Sequence, residues 1–416
     1  MTANTAFVIV GAGLAGAKAA QTLREEGFDG PVVLLGEESE YPYERPPLSK
    51  GYLLGKEERD TVYVHPPEWY AEHDVDLRLG TAATAIDPAG REVTLADGSR
   101  IGYERLLLTT GSSPRRLTVP GAELDGVHYL RRLPDSDRMK ETFGSASRVV
   151  VIGAGWIGLE TTAAARAAGV EVTVLERAAL PLLRVLGPEV SRIFAELHAG
   201  HGVDLRFGVQ VAEITGNGGR ADGVLLTDGS RIGADAVVVG IGITPNVRLA
   251  DAAGLQVDNG IVVDAHLRTS DPYIYAAGDV ANAFHPLLGK HIRVEHWANA
   301  VNQPQDAAKA MLGQDVAYDR VPYFFTDQYD LGMEYTGYVE PGGYDEVVFR
   351  GRRDTREFIA FWLAEGRVLA GMNVNVWDVT DPIRALVTSG RPVDATRLAD
   401  PGVPLTDLLD RPAPAV

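Results

Sequence analysis

The chain contains no cysteine. Structural disulfides, thiolate iron–sulfur ligation and a redox-active dithiol are therefore all excluded. It also lacks an apolar run of about 18 residues, so no helical membrane span is expected. The N-terminus enters a strand within a few residues, leaving no room for a signal peptide, and a cytoplasmic location is the expectation. Positive charge is scarce. Against 57 Asp and Glu stand 39 Lys and Arg, a formal charge of −18 at pH 7, which argues against nucleic-acid affinity and for solubility. The nine histidines are scattered without an HExxH-like ligand spacing, so no metal site is expected. What remains, 416 residues of which 45% are hydrophobic, suffices for ordinary cores in two or three domains.

What is present is present twice. Val8-Ile9-Val10-Gly11-Ala12-Gly13-Leu14-Ala15-Gly16 is answered by Val150-Val151-Ile152-Gly153-Ala154-Gly155-Trp156-Ile157-Gly158, and Leu95-Ala96-Asp97-Gly98-Ser99-Arg100-Ile101-Gly102 by Leu226-Thr227-Asp228-Gly229-Ser230-Arg231-Ile232-Gly233. Each copy then runs through an apolar strand into Gly111 with Pro114, or Gly242 with Pro245. Two similar nucleotide-binding units thus follow one another, and the chain is expected to hold two dinucleotides at once.

Each glycine motif follows a β-branched run and precedes an alanine-rich helical stretch, Ala17 to Arg24 or Thr161 to Ala168, which is the order of strand, turn and helix that dinucleotide binding requires. Glycines permit the tight turn and let a pyrophosphate approach the free N–H groups of a helix N-terminus. An acidic residue should end the next strand and take the adenosine ribose hydroxyls; Glu37 and Glu176 stand there, 21 and 18 residues beyond Gly16 and Gly158. Candidate contacts for the first dinucleotide are Gly11, Ala12, Gly13, Leu14, Ala15, Gly16, Glu37, Glu38, Thr110 and Gly111, with Arg115 just beyond. In the second they are Gly153, Gly155, Trp156, Ile157, Gly158, Glu176, Gly240, Ile241 and Gly242. A carboxylate at Glu176 suits a ribose diol and repels a 2′-phosphate, so NADH is expected over NADPH; Arg177 and Arg184 are the residues able to swing towards a 2′-phosphate.

Residues 1–112 read as the first unit and 113–243 as the second, inserted into it, because strands return at Ile261-Val262-Val263 and at Tyr273-Ile274-Tyr275-Ala276-Ala277-Gly278-Asp279, followed by a helix from about Ala298 to Leu312. The first domain accordingly resumes over 244–320. From Val321 a third composition alternates like an antiparallel sheet, Pro382 to Ser389 reads as helical, and 321–405 forms a C-terminal α+β domain with a frayed tail over 406–416. The fold class is α/β: two Rossmann-like dinucleotide-binding domains plus a C-terminal α+β domain.

Pro42-Tyr43-Glu44-Arg45-Pro46-Pro47-Leu48-Ser49-Lys50, Ala277-Gly278-Asp279 and Glu295-His296-Trp297 resemble motifs of the glutathione-reductase-like flavoproteins. The match is to the FAD-dependent ferredoxin reductases that serve bacterial cytochrome P450 and aromatic-ring dioxygenase systems, relatives of apoptosis-inducing factor. It covers nearly the whole chain, and the missing cysteine pair separates it from the disulfide reductases. The resemblance implies that Asp279 accepts from the ribitol hydroxyls of FAD, that Arg45 and Lys50 approach phosphate or isoalloxazine, and that Glu295, His296 and Trp297 line the flavin's pyrimidine edge. A helix beginning near Trp297 would then aim its positive end there, while Trp297 equally suits core packing. Phe325 stands where the family usually has Trp; it can stack but lacks the indole N–H. Glu160 resembles the family's carboxylate near the nicotinamide amide, with Lys50 as its partner, against the alternative of an exposed glutamate in the first helical turn.

The implied reaction is hydride transfer from nicotinamide C4 to flavin N5, with the rings stacked between the domains, followed by single-electron delivery to an external carrier. A [2Fe–2S] ferredoxin serving a P450 or ring-hydroxylating oxygenase is the expected acceptor. Rubredoxin, a quinone, monodehydroascorbate or oxygen, and a slow NADH-sensing interaction protein, stay open as alternatives. Arg350, Arg352, Arg353 and Arg356 offer a basic docking face or simply a solvated one, and the protein is a monomer or homodimer.

Overall fold

The β-branched runs that open each copy become the central strands of two parallel sheets. The computed structural model describes residues 6–409; the closing 410–416 of the expected tail lie outside them. The described residues form two compact units. One holds the residues through Pro46 with Glu58–Ser113 and Ile243–Arg320, the other Pro47–Glu57, Pro114–Gly242 and the residues from Val321 on.

In the first unit strand Phe7–Val10 pairs in parallel with Val32–Leu35 and Arg105–Leu108, and strands Val75–Arg78 and Ile274–Ala276 complete the sheet at its edges. All four residues of Phe7–Val10 and of Val32–Leu35 are buried, the continuous burial of a parallel sheet covered on both faces. Helix Leu14–Glu25 follows at once and buries Ala17, Ala19, Ala20 and Leu23. Helix Trp297–Met311 packs beside it, one residue earlier at each end than the expected Ala298 to Leu312.

The second unit repeats the plan with strands Arg148–Ile152, Glu171–Glu176 and Ala236–Val239 at the centre, Asp204–Phe207 and Val127–His128 at the edges, and helix Trp156–Ala167 after the glycine turn. The repeated Asp-Gly-Ser segment is a hairpin turn in both copies. Asp97 Oδ1 accepts from the Ser99 amide at 2.9 Å, and Asp228 Oδ1 from the Ser230 amide at 2.8 Å, so a local side-chain bond sets each turn.

The C-terminal residues form a five-stranded antiparallel sheet, in the order Tyr323–Gln328, Leu331–Gly337, Arg367–Val374, Glu357–Ala364 and Glu346–Arg352. One face, with Phe358, Ala360 and Trp362, joins the apolar cluster of Val149, Val151 and Leu159. The opposite face, with Ile359, Phe361 and Leu363, is covered by Ile383, Leu386 and Leu398. This shared core is why the sheet belongs to the same compact unit as the second nucleotide fold rather than standing apart. Helix Thr380–Ser389 begins two residues earlier than expected. Residues 406–408, read as the start of a frayed tail, instead belong with Leu405 to a 3-10 turn, Leu405–Leu408, whose two leucines are buried.

Pro47–Glu57 also departs from the expected boundary, which gives it to the first domain. Leu53 is buried in the second unit's core, the Leu48 carbonyl accepts from Ser136 Oγ at 2.9 Å, and Tyr52 donates to Asp137.

Candidate active site

Two glycine turns come first. Gly11 has φ +117°, and a Cβ there would lie 2.3 Å from the Thr109 carbonyl oxygen; a Cβ on Gly16 would lie 2.1 Å from that of Gly11. The second copy gives 2.4 Å at Gly153 against the Gly240 carbonyl and 2.0 Å at Gly158 against that of Gly153. Only glycine permits this closeness. Around Gly13 a Cβ would meet nothing within 4 Å, and at Gly155 only the Gly240 oxygen, at 4.0 Å. Both helices start without a side-chain cap or an acid in the first turn, so their free amides and positive ends face open space of the kind a pyrophosphate fills.

The acids at the strand ends differ. Glu37 is exposed just beyond Val32–Leu35. Glu176 is fixed: Oε2 accepts from the Ala154 amide and Oε1 from the Ala178 amide, both at 2.8 Å. Ile157 is partly open at 40% relative exposure, whereas the Trp156 ring packs edge-on against Phe194 and Phe324, at 5.6 and 5.0 Å, so it serves the core. Arg177 and Arg184 are exposed. The strand-end pairs are held by backbone: Gly240 N donates to Ile152 O at 2.8 Å, and Arg115 N to Gly242 O at 2.9 Å. In the first unit Asn246, unmarked by any motif, exchanges side-chain and backbone bonds of 2.8 and 2.9 Å with Thr110 and donates its amide to Gly111 O at 2.9 Å.

Around Asp279 the first unit gathers its polar residues. Gly278 has φ +80° and donates to the buried Gln303 side chain at 2.8 Å, while Asn299 Nδ2 donates to the same oxygen at 3.3 Å. The helix starting at Trp297 is thereby tied to the turn bearing Asp279. Arg45 donates to Tyr43 Oη at 3.3 Å and to Glu38 Oε1 at 3.4 Å, and Tyr43 donates to Glu38 Oε2 at 2.7 Å. Burial acts to lower the Arg45 pKa, but Tyr43, Glu38 and Asp279 outweigh it and leave it raised. Trp297 Nε1 donates to Glu44 Oε2 at 3.1 Å, which gives this tryptophan a polar partner in the Pro-Tyr-Glu-Arg motif. The His296 imidazole is pushed down to about 4 by burial, with Asp279 opposing. Glu295 pairs with Arg293.

The second unit holds a buried ion pair. Glu160, at 5% side-chain exposure, accepts from Lys50 Nζ at 2.6 Å, with Lys50 at 16%. It also accepts from Ser49 Oγ and, at 2.5 Å, from Thr326 Oγ1. Glu160 is the fifth residue of its helix, one turn deeper than the sequence placed it, which removes the reading of an exposed helix-start acid. The Phe325 ring centroid lies 5.7 Å from Lys50 Nζ. Asp327, although its side chain is exposed, is raised above the usual carboxylate range by partial desolvation, Lys50 opposing and Glu160 adding to it. Sequence reasoning missed Ser49 and Thr326, although each neighbours a flagged residue.

The four C-terminal arginines are not a free basic face. Arg350 donates to the carbonyls of Leu398, Asp400, Pro401 and Val403 at 2.6–3.3 Å. Arg352 pairs with Glu357, Arg356 with Asp330 at 2.6 Å, and Arg353 lies 4.7 Å over the Phe349 ring. Ion pairing thus compensates Arg352 and Arg356, while Arg350 is held by backbone carbonyls and Arg353 by a ring.

Two open glycine cradles, each followed by a strand-end carboxylate, together with a buried lysine–glutamate pair define a two-dinucleotide oxidoreductase. The chain belongs to the pyridine nucleotide-disulphide oxidoreductase family, whose model matches residues 5–304, and a reductase C-terminal model matches residues 323–409. It is 40% identical to putidaredoxin reductase of Pseudomonas putida, over 98% of this chain and 98% of that one. To the ferredoxin–NAD(+) reductase component of the anthranilate 1,2-dioxygenase system of Burkholderia cepacia it is 41% identical, over 97% and 99%. The crystal structure of the covalent putidaredoxin reductase–putidaredoxin complex matches with a TM-score of 0.94 at 39% identity, covering 98% of this chain and 99% of that one. The motif resemblance to FAD-dependent ferredoxin reductases is therefore borne out. The fold class is that of the glutathione-reductase-like reductases, and FAD and NAD(H) are the cofactors. Among the described residues no helix is long and apolar enough to cross a membrane, and no group of three or more His, Cys, Asp or Glu could hold a metal ion.

Proposed function

We propose that this protein oxidises NADH and reduces a [2Fe–2S] ferredoxin that serves a P450 or ring-hydroxylating oxygenase. The observation that carries the reading is full-length similarity to ferredoxin reductases in a chain with two open glycine cradles and no cysteine to store electrons. Bound FAD supplies the conversion of a two-electron donor into one-electron delivery.

In this reading the cradle Gly11, Gly13 and Gly16, with Glu37, takes the FAD pyrophosphate and ribose, and Asp279 takes the ribitol hydroxyls. The N-terminus of helix Trp297–Met311 gives positive potential to the pyrimidine edge, where negative charge develops. Gly153, Gly155 and Gly158 take the NADH pyrophosphate. Glu176, clamped through both oxygens, keeps its remaining lone pairs for the ribose diol and sets a fixed negative charge against a 2′-phosphate. Glu160 accepts from the nicotinamide carboxamide, while Lys50 keeps two N–H groups free of Glu160 for the ring system. The FAD-binding part is 1–112 with 244–320, the NAD-binding part 113–243, and the segment 47–57 carries Lys50 to the latter.

The test is anaerobic reduction of the FAD-loaded protein by NADH and by NADPH, then mixing with oxidised [2Fe–2S] ferredoxin or with rubredoxin. Fast bleaching by NADH and prompt electron transfer to ferredoxin are expected. A long-lived reduced complex that ignores ferredoxins, or faster transfer to rubredoxin, would overturn the assignment of the acceptor.

A further inference from the structure

Behind Glu160 the buried polar atoms continue in one line. Gln328 Nε2 lies 3.4 Å from Thr326 Oγ1, Gln328 Oε1 lies 2.8 Å from His198 Nε2, and His198 Nδ1 lies 3.3 Å from the Tyr329 hydroxyl. Thr326 and Gln328 are each 1% exposed and His198 not at all. The His201 ring stacks on Tyr329 at 3.7 Å.

The direction of the bonds follows from the end of the line. An ionised carboxylate only accepts, so the Thr326 hydroxyl donates to Glu160 and must itself accept from the Gln328 amide. The Gln328 oxygen then accepts from His198 Nε2–H, which leaves Nδ1 to accept from Tyr329. Every proton points towards Glu160, and bonds aligned in this way polarise one another. Burial holds His198 at about 4, so its imidazole is neutral and supplies the single Nε2 proton that the order requires. The charged and titratable groups facing this line are Lys50 and Asp327 at one end and His201 and Arg166 at the other.

We propose that Tyr329, His198, Gln328 and Thr326 are positioning residues, a one-directional hydrogen-bond chain that orients the Glu160 carboxylate towards Lys50. The chain rests on the proposed nicotinamide-site role of Lys50 and Glu160, but its test needs neither NADH nor ferredoxin. The protonated-carboxyl band of Glu160, assigned by its absence in Glu160→Gln, is followed by infrared difference spectroscopy against pH in the FAD-loaded protein. Thr326→Val removes a donor to the carboxylate, and its midpoint should rise by about one pH unit, a tenfold change in proton affinity. Gln328→Leu leaves that hydroxyl but removes its polarising donor, so a rise of about 0.3–0.5 unit, twofold to threefold, is expected. Thr326→Ser keeps the donor and should leave the midpoint in place. Gln328→Met replaces Gln328→Leu should the latter fail to fold. A purely structural role would lower the thermal midpoint without moving the band. An unshifted band in the folded Gln328 variant would overturn the chain, whereas failure of ferredoxin turnover in the unsubstituted protein would strike the functional reading alone.

Discussion

Replacing Glu160 by leucine strands the Lys50 ammonium, which is 16% exposed and has its carboxylate partner at 2.6 Å. It also strips the acceptor from the hydroxyls of Ser49 and Thr326. A buried charge left without its partner costs about 3–5 kcal/mol, so Glu160→Leu should destabilise the second unit by that amount. Lys50→Met leaves Glu160 its two hydroxyl donors, so the loss should sit at the lower end, about 3 kcal/mol. The double substitution removes both charges and should recover at least about 2 kcal/mol relative to the sum of the singles, because most of each single cost is desolvation of the orphan. Urea unfolding of the four proteins at one fixed FAD concentration, followed by tryptophan fluorescence, closes the cycle. Additive single costs would mean that the two groups do not share one desolvated site, and the reasoning would fail.

Glu176→Gln keeps an acceptor for the ribose but removes the fixed charge; the ratio of kcat/KM for NADH over that for NADPH should fall at least about tenfold, a change of about 1.4 kcal/mol, and steady-state kinetics with both nucleotides would expose an unchanged ratio. His198 is pushed down to about 4 by burial from an ordinary 6.5, so the unfolded chain binds a proton that the folded one refuses. Its contribution, on the order of 3 kcal/mol, is whole above pH 6.5 and is lost as the pH falls from 6.5 towards 4. Unfolding midpoints across that range should slope downward with acid, less steeply in His198→Gln. Arg350→Ala frees four carbonyls near the C-terminal end and should cost about 2 kcal/mol, with faster amide hydrogen exchange over residues 398–403. Arg352→Ala, on a surface pair, should stay within about 0.5 kcal/mol.

Legibility followed locality. The glycine turns, the strand-end acids and the helix starting at Trp297 were readable because each depends on neighbours a few residues away: a φ of +117° at Gly11 and a carbonyl 2.1 Å from a would-be Cβ at Gly16 leave no other residue type. The buried side of the site was not readable in the same way. Thr326 reaches Glu160 from 166 positions along the chain, and Ser136 reaches Leu48 from 88. Such partners are chosen by packing rather than spacing. The arginines of the C-terminal sheet show the converse failure. Four of them within seven positions read as a charge cluster, yet the β pairing puts Glu357 opposite Arg352 and lets Arg350 reach the backbone beyond Leu398.

The duplication reaches past the motifs into the struts that support them. Arg24, in the last turn of the first helix, donates to the carbonyls of Phe28 and His73, the latter at 2.8 Å. Arg166, in the last turn of the second, donates to those of Val170 and His201 at 2.7 and 3.0 Å. These arginines stand 142 positions apart, the same interval as Gly11 and Gly153. Each caps helix-end and loop carbonyls with a permanent charge, holding the end of the helix remote from the glycine turn. The copies differ at the outer strand beside the one that follows the hairpin. The first unit uses Ile274–Ala276, which comes later in the chain, and the second uses Val127–His128, which comes earlier. The first copy's sheet is therefore completed by a strand that follows the second copy in sequence, and that same late strand delivers Gly278 and Asp279. The residue proposed for the ribitol chain thus exists only in the copy whose edge strand comes after the insertion, which is a physical reason for the two cradles to take different dinucleotides.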